Sequence, residues 1–135
     1  PASMWIPSGT HDCIFYLWTS VSGYSSFGSY TGNGSSTDGP FVYTGHHSRF
    51  LLIKRSDGTG NWQIYDTSRD PYNAMDSRIK ANSSDAEASN SGYNLDILSN
   101  GFRPTGGNND NYNASGATYV YASFGEHPFK TARAR

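Results

Sequence analysis

The sequence predicts an all-β protein, a single antiparallel β-sandwich of jelly-roll type, and three observations support that prediction. Residues 50–73 look like two strands around a tight polar loop. Residues 117–124 alternate between two sets of side chains, as a strand with two different faces does. The composition, with 15 Gly, 10 Tyr and only 35% apolar residues, is typical of many short strands joined by turns.

The first part of the chain predicts short strands separated by loops. The apolar run at residues 13–18 (CIFYLW) is too short for a helix, so we expect a strand buried on both faces. Residues 27–31 are a candidate second strand, and the glycine-rich residues 32–39 follow as a loop. Residues 41–44 predict a short strand that starts after Pro40, a position that suits a strand start or edge.

The middle of the chain contains the clearest hairpin. Residues 50–53 and 62–65 predict its two strands, and residues 57–61 (DGTGN) have the composition of a turn. Pro71 then disfavours a helical conformation at the residue before it, which predicts another turn.

The segment after this turn does not favour one structure. Residues 74–82 are ambiguous, and residues 82–87 (NSSDAE) have the capping and acidic residues that open a helical turn.

The last part of the chain predicts a second hairpin and a long strand. Residues 95–98 form a strand, residues 99–101 a turn and residues 102–103 a short return. Residues 104–113 (PTGGNNDNYN) predict an exposed loop. In the strand at 117–124, Val120, Ala122 and Phe124 should face one way and Tyr119, Tyr121 and Ser123 the other.

The composition predicts one domain over residues 1–135 and excludes some partners. Residues 1–12 are a possible linker or interface segment, and residues 125–135 a C-terminal tail. A net charge of −1 argues against nucleic acid, and the lack of a long apolar run argues against membrane insertion. The start at Pro1 suggests a piece of a longer protein. The single Cys13 excludes an internal disulfide and fits a buried thiol in a protein assembled in the cytoplasm.

The three tryptophans have two interpretations. Aromatic faces can stack on sugar rings, which would make a glycan site. In a chain this poor in Leu and Val, however, Trp18 and Trp62 are expected in the core, because large aromatics contribute most to burial. Trp5 precedes the first predicted strand and is expected at an interface or in a linker.

Two loops, residues 30–39 and 106–113, have the Tyr, Ser, Gly and Asn composition of adaptable binding loops. A solvated turn without any partner is the alternative. Together with Trp62, these loops supply the candidate ligand contacts, which are Tyr30, Asn33, Asp38, Trp62, Asn109, Asp110 and Tyr112.

Metal and cofactor binding are not expected. Asp57, Asn61 and residues 108–111 offer oxygen ligands, but their spacing matches no complete calcium loop. The adjacent His46 and His47 would point to opposite faces of a strand and so cannot share a zinc ion in a simple way; His11 and His127 are the other two histidines.

Catalysis is not expected either. Asp66 and Asp96 are candidate acids for a glycosidase pair, but such a pair must face one cleft, and the sequence does not show that they do. Cys13 lies in an apolar run, where burial disfavours the reactive thiolate.

Five sequence blocks resemble a known family. They are residues 39–45 (GPFVYTG), 52–55 (LIKR), 61–67 (NWQIYDT), 95–102 (LDILSNGF) and 113–122 (NASGATYVYA). The order of these blocks, with the ending FGEHPFKTARAR, is similar to a domain of unknown function near the C-termini of tailed-phage and prophage virion proteins, including tail-fibre-like proteins.

The resemblance implies a virion component at a fibre or spike tip, assembled in the host cytoplasm, in contact with other virion proteins and trimeric as phage fibres usually are. From this location and the loop composition, we expect a non-enzymatic domain that contacts host-surface glycan. A structural cap or capsid decoration protein without a receptor, and a fragment of a polysaccharide depolymerase, are the two alternatives.

Overall fold

A computed structural model describes residues 16–126 and shows an all-β fold with two antiparallel sheets, which confirms the predicted fold class. A short 3-10 helix, Ser91–Tyr93, interrupts the strands. The strands of these residues are β1 (Ser25–Thr31), β2 (Val42–Tyr43), β3 (Ser48–Arg55), β4 (Gln63–Asp66), β5 (Ser77–Lys80), β6 (Ala88–Ser89), β7 (Leu95–Leu98), β8 (Gly101–Pro104) and β9 (Thr118–Gly125).

The larger sheet has the order β1-β9-β3-β4-β5-β6, and the smaller has the order β2-β8-β7. The predicted hairpin is β3 and β4, in which Leu52 pairs with Ile64. The last strand, β9, lies between β1 and β3 and pairs with both. The more detailed jelly-roll description stays a prediction.

The core lies between the two sheets and is rich in tyrosine. Tyr119 of β9 pairs with Tyr30 of β1, and both rings are buried against each other, with centroids 5.2 Å apart. Phe102 of β8, in the smaller sheet, packs edge-on against Tyr30 at 5.6 Å. The remaining buried residues of this core include Leu51, Ile53, Tyr65, Met75, Leu95, Ile97 and Tyr112. Aromatic rings thus fill the volume that aliphatic side chains occupy in most domains.

The opposite face of the larger sheet also has apolar side chains. The strand registers align one apolar residue from each of five adjacent strands. This outer row consists of Phe27, Ala122, Leu52, Ile64 and Ile79. Strand faces that point away from a sandwich core are usually polar, so an apolar outer row is a surface that needs an explanation.

Two predictions about tryptophan are wrong. Residues 16–18 form no strand, and the side chain of Trp18 is 58% exposed because its ring packs on the outer face instead of in the core. Trp62 is 41% exposed and lies just before β4, on the same face. Cys13 and the rest of the predicted first strand, together with Trp5, His11 and His127, lie outside the described residues.

The ambiguous middle segment contains a strand, β5, which pairs with β4 through Ile79 and Ile64. The predicted helical turn at residues 82–87 is wrong, since these residues form a turn and irregular backbone. The helical turn occurs later, at Ser91–Tyr93, where the Asn90 side chain caps it by accepting a hydrogen bond from the Gly92 amide. A side-chain cap of the predicted type therefore acts a few residues further along the chain.

Candidate functional site

A shallow apolar groove lies on the outer face of the larger sheet. It encloses about 210 Å³. Its lining, which we call the outer groove, consists of Trp18, Phe27, Leu52, Lys54, Trp62, Val120, Tyr121 and Ala122. These residues come from β1, β3 and β9 and from the segments that precede β1 and β4, so the strand registers fix most of the groove. A concave apolar surface with few polar groups is the usual form of a ligand site.

One wall of the outer groove is a stack of aromatic rings. Trp18 lies between Tyr16 and Phe27, with ring centroids 6.0 and 5.7 Å away and planes within 15° of parallel. Phe27 in turn meets Phe124 edge-on at 5.6 Å. These spacings are those of favourable aromatic pairs. The stack holds Trp18 on the sheet although no strand contains it.

The other wall is Trp62, whose ring makes no ring–ring contact with another residue in 16–126. Its backbone amide donates to the Asn82 side chain at 3.0 Å, and Asn82 donates to the Asn61 side chain at 3.1 Å. The Asn61 amide donates to the Asn111 side chain at 2.9 Å. These bonds fix the backbone of Asn61 and Trp62 and link both residues to the Asn82 and Asn111 side chains.

The two loops that sequence reasoning selected lie side by side. Asn113, which is fully buried, accepts a hydrogen bond from the Asn33 amide at 3.1 Å and donates to the Ser35 carbonyl at 3.0 Å. Its own carbonyl accepts from the Gly34 amide at 2.9 Å. One buried side chain thus connects residues 32–39 to residues 106–113.

Tyr30 and Tyr112, two of the seven predicted contacts, are core residues. The Tyr30 hydroxyl donates to the Tyr112 carbonyl at 2.6 Å, and the Tyr112 hydroxyl donates to the Gly92 carbonyl at 2.9 Å. Burial raises the pKa of both hydroxyls, and nearby tyrosines add to the shift. Since neither ring is open to solvent, the structure corrects their assignment as ligand contacts.

The four polar candidates lie in the loops and mostly bond within the protein. Asn33 donates to the Asp38 carbonyl at 2.7 Å and accepts from the Ser35 amide. The Asn109 side chain accepts a hydrogen bond from the Asn111 backbone amide and donates one to the Gly92 carbonyl. Asp110 pairs with Arg55 at 2.6 Å. These contacts explain why the loops are ordered. None of the four lines the outer groove, so of the predicted contacts only Trp62 does so.

Arg55 anchors the end of the β3–β4 hairpin beside these loops. Its guanidinium donates to Asp57 at 2.8 Å and to Asp110. The hydrogen bond from Arg55, reinforced by one from the Thr118 amide, holds the pKa of the Asp57 carboxyl below its usual range. Asp57 is therefore a structural link between the hairpin and β9.

The candidate glycosidase acids are each paired with arginine. Asp66 is on β4 in the larger sheet and pairs with Arg49 and Arg69, at 3.4 and 3.7 Å. Asp96 is on β7 in the smaller sheet and pairs with Arg103 at 2.9 Å. The two acids thus belong to different sheets, and no groove described above contains them.

His46 and His47 have separate surroundings. His46 is buried, with its Nε2 atom 2.9 Å from the Ser123 hydroxyl, which is also 2.7 Å from the Ser48 hydroxyl. Burial lowers the pKa of His46, and His47 lowers it further. His47 lies 3.1 Å from Glu126. Within residues 16–126, no group of three His, Cys, Asp or Glu side chains has the geometry of a metal site.

Sequence reasoning missed Lys54, Phe27 and Leu52 as groove residues. A signal for them was present, since residues 50–53 are apolar at every position and so supply both faces of β3. That pattern is typical of a strand with apolar neighbours on both sides.

Comparison with known proteins gives one match. A family model described as a domain of unknown function (DUF7483) matches residues 4–128. No curated protein and no solved structure matches the chain. Among residues 16–126 there is also no helix with the length and apolar character needed to cross a membrane.

Proposed function

Because this chain belongs to the DUF7483 family of domains of unknown function, we propose its function from its own surface: it is a non-enzymatic bacteriophage virion domain that contacts host-surface glycan. The resemblance to tail-fibre-like proteins supports the virion part of this proposal. The glycan part is supported by one observation, the exposed Trp62 ring at the wall of the outer groove.

Trp62 provides what a sugar ring needs. The C–H face of a pyranose is apolar and flat, and it stacks on an aromatic ring in the same way that other apolar groups do. The hydroxyls at the edge of the sugar need hydrogen-bonding partners, and the candidates are the Asn82 side chain, which bonds to the Trp62 backbone amide, and the Asn61 side chain, which bonds to Asn82. A groove of about 210 Å³ is below the ~300–1,000 Å³ typical of sites for drug-sized ligands, so it suits a single sugar ring of a polysaccharide.

Such a site binds weakly and gains strength from repetition. A single stacking contact of this kind contributes about 1–2 kcal/mol, which is roughly tenfold in affinity. A trimeric fibre with several copies per virion raises the effective affinity, because the second and third contacts are intramolecular.

The Trp62→Ala variant tests the proposal on an array of bacterial surface polysaccharides. We expect the wild-type chain to bind at least one polysaccharide and Trp62→Ala to bind it about tenfold less. Tyr72→Ala is the matched control, since Tyr72 is highly exposed and does not line the groove. Equal binding by the wild-type chain and Trp62→Ala would contradict the proposed site.

A second candidate function is purely structural, a cap or a capsid decoration domain. The exposed stack of Tyr16, Trp18 and Phe27 favours it, because exposed aromatic patches also form subunit interfaces. Light scattering of the isolated chain and the polysaccharide array together distinguish the two functions. A trimer in which the stack is buried, together with no glycan binding, would support the structural role.

A depolymerase is the remaining alternative. The non-enzymatic proposal predicts that the chain releases no reducing sugar from any polysaccharide that it binds. Release that is lost on replacing Asp66 or Asp96 by Asn would overturn it.

A further inference from the structure

Lys54 places a positive charge in the lining of the outer groove. The residue is on β3, opposite Val120 of β9, and its amino group donates to the Arg55 carbonyl. Within residues 16–126 it forms no ion pair with a carboxylate. Most other cationic side chains of this region do form such a pair, namely Arg49, Arg55, Arg69, Lys80 and Arg103.

Arg78 is the other unpaired cation among these residues, but its environment differs. Its guanidinium is buried, 3.1 Å from the centre of the Tyr93 ring, which compensates part of its charge. In the described part of the chain no such ring lies beneath Lys54, which lines a groove open to solvent.

The rest of the groove strengthens the attraction between this charge and an anion. Among residues 16–126 the lining of the outer groove contains no Asp or Glu, and its other residues are aromatic or aliphatic. An ammonium group beside an apolar surface is less screened than one surrounded by water, so it attracts an anion more strongly. An acidic group on the ligand would complement both the charge and the position of Lys54.

We infer that the ligand of the outer groove is an acidic glycan, with a uronic acid whose carboxylate pairs with Lys54 while its ring stacks on Trp62. In a uronic acid the carboxylate projects from the edge of the ring, next to the apolar C–H face. Lys54 and Trp62 line the same groove and match these two features. The inference names the ligand class of the proposed glycan site and therefore rests on that proposal.

An array of polysaccharides with chemically matched partners tests the inference. The full chain is applied to uronate-containing bacterial polysaccharides, each printed beside its carboxyl-reduced form, and to neutral and sulfated polysaccharides. We expect binding to a uronate polymer and at least about tenfold weaker binding after carboxyl reduction. Added salt should weaken binding to the acidic form only, since salt screens the charge pair.

Variants at Lys54 identify the partner of the carboxylate. The Lys54→Gln variant should bind the acidic polysaccharide about tenfold more weakly than the wild-type chain does, and should bind the carboxyl-reduced form equally well. The Lys54→Arg variant, which keeps the positive charge, should retain binding to the acidic form. Lys80→Gln is the control, because Lys80 pairs with Asp85 and lies outside the groove lining. Thermal unfolding of each variant establishes that it is folded.

Each outcome separates the inference from the proposed function. Binding that depends on Trp62 but is unchanged by carboxyl reduction or Lys54→Gln would overturn the acidic ligand and leave the glycan site standing. Binding confined to sulfated or neutral polymers would overturn the uronic acid. No binding to any polysaccharide would overturn the proposed glycan function itself.

Discussion

The hydroxyl of Tyr119 accepts a hydrogen bond from the backbone amide of Ala114 at 2.8 Å, so a core strand holds the loop that precedes it. The same hydroxyl is 3.1 Å from the Asp110 carbonyl and 3.3 Å from the Asn109 carbonyl, to which it donates. One buried side chain therefore satisfies backbone groups from three residues of a loop that has no regular structure of its own.

Tyr119→Phe should destabilise the protein by about 1–3 kcal/mol. The ring still fills the core, but the amide and carbonyls lose their partner in a region with little access to water. Urea unfolding measures the change. Tyr121→Phe is the control, since its hydroxyl contacts Ser26 at the edge of the sandwich and should cost less than Tyr119→Phe. Equal costs for the two variants would contradict the role assigned to Tyr119.

Asn113→Ala should loosen both candidate loops together. The variant removes the acceptor for Asn33 and the donor to Ser35, and we expect a cost of about 1–3 kcal/mol. Hydrogen exchange should accelerate in residues 32–39 as well as near the substitution. Faster exchange near position 113 alone would show that Asn113 does not connect the loops. Asn108→Ala, in the exposed part of the loop, is a matched comparison.

Gly39→Ala should be among the most damaging single-methyl additions. A Cβ atom at this position would overlap the backbone carbonyl of Pro104, which cannot move without displacing β8. We expect a loss of about 2–3 kcal/mol or more in the free energy of unfolding. Gly116→Ala is the control. Gly116 has a φ of 78° but open space around it, so its cost should be limited to about 1 kcal/mol of backbone strain.

The stability of the fold should decline in mild acid because of His46. Burial lowers the pKa of His46 below that of the unfolded chain, so as the pH falls the unfolded state takes up the proton first. Stability is therefore complete above the unfolded pKa of about 6.5 and decreases as the pH falls through it, until the folded state is protonated as well.

Urea midpoints across this pH range measure the effect. His46→Gln should show a smaller decline than the wild-type chain. His47→Gln, which leaves the buried ring in place, should retain much of the decline. An identical pH dependence in the wild-type chain and His46→Gln would contradict the assignment.

The strongest predictions from the sequence were those that depend on local pattern. The strand at residues 50–53 falls within β3, and the strand at residues 117–124 coincides with β9 within one residue at each end. In β9 the pairing of Tyr119 with buried Tyr30, and of Ala122 with Phe27 of the outer row, places Tyr119 and Ala122 on opposite faces as expected. Periodicity decides such features, and both ends of these strands have clear turn residues.

The predictions that failed depend on which face of the sheet a side chain covers. The run that includes Trp18 looks like a buried strand from its composition, but the ring stacks on Phe27 on the outside of the sheet. Hydrophobicity alone does not tell which side of a sheet an aromatic ring covers. The same uncertainty applies to Trp62, which is a candidate site residue because it is not in the core.

The groove was predictable only in part. Trp62 was selected as a ligand contact, whereas Lys54 was not, because a lysine in a strand is usually a solvated residue. Its significance arises from its neighbours in β9 and from the lack of a carboxylate partner within residues 16–126, and both depend on how β3 and β9 pair. The pairing of β3 with β9, which places Lys54 opposite Val120, joins parts of the chain that are far apart and is not visible in a single sequence.

The position of β9 between β1 and β3 has a consequence for biosynthesis. During translation β1 and β3 leave the ribosome long before β9 does. Each of these two strands therefore has an unpaired edge, and the larger sheet cannot close until β9 emerges. A nascent chain that stops before Thr118 retains most of the core residues but has no strand to join its two halves. We expect such a chain to aggregate or to be bound by chaperones, whereas a chain that includes β9 can close the larger sheet.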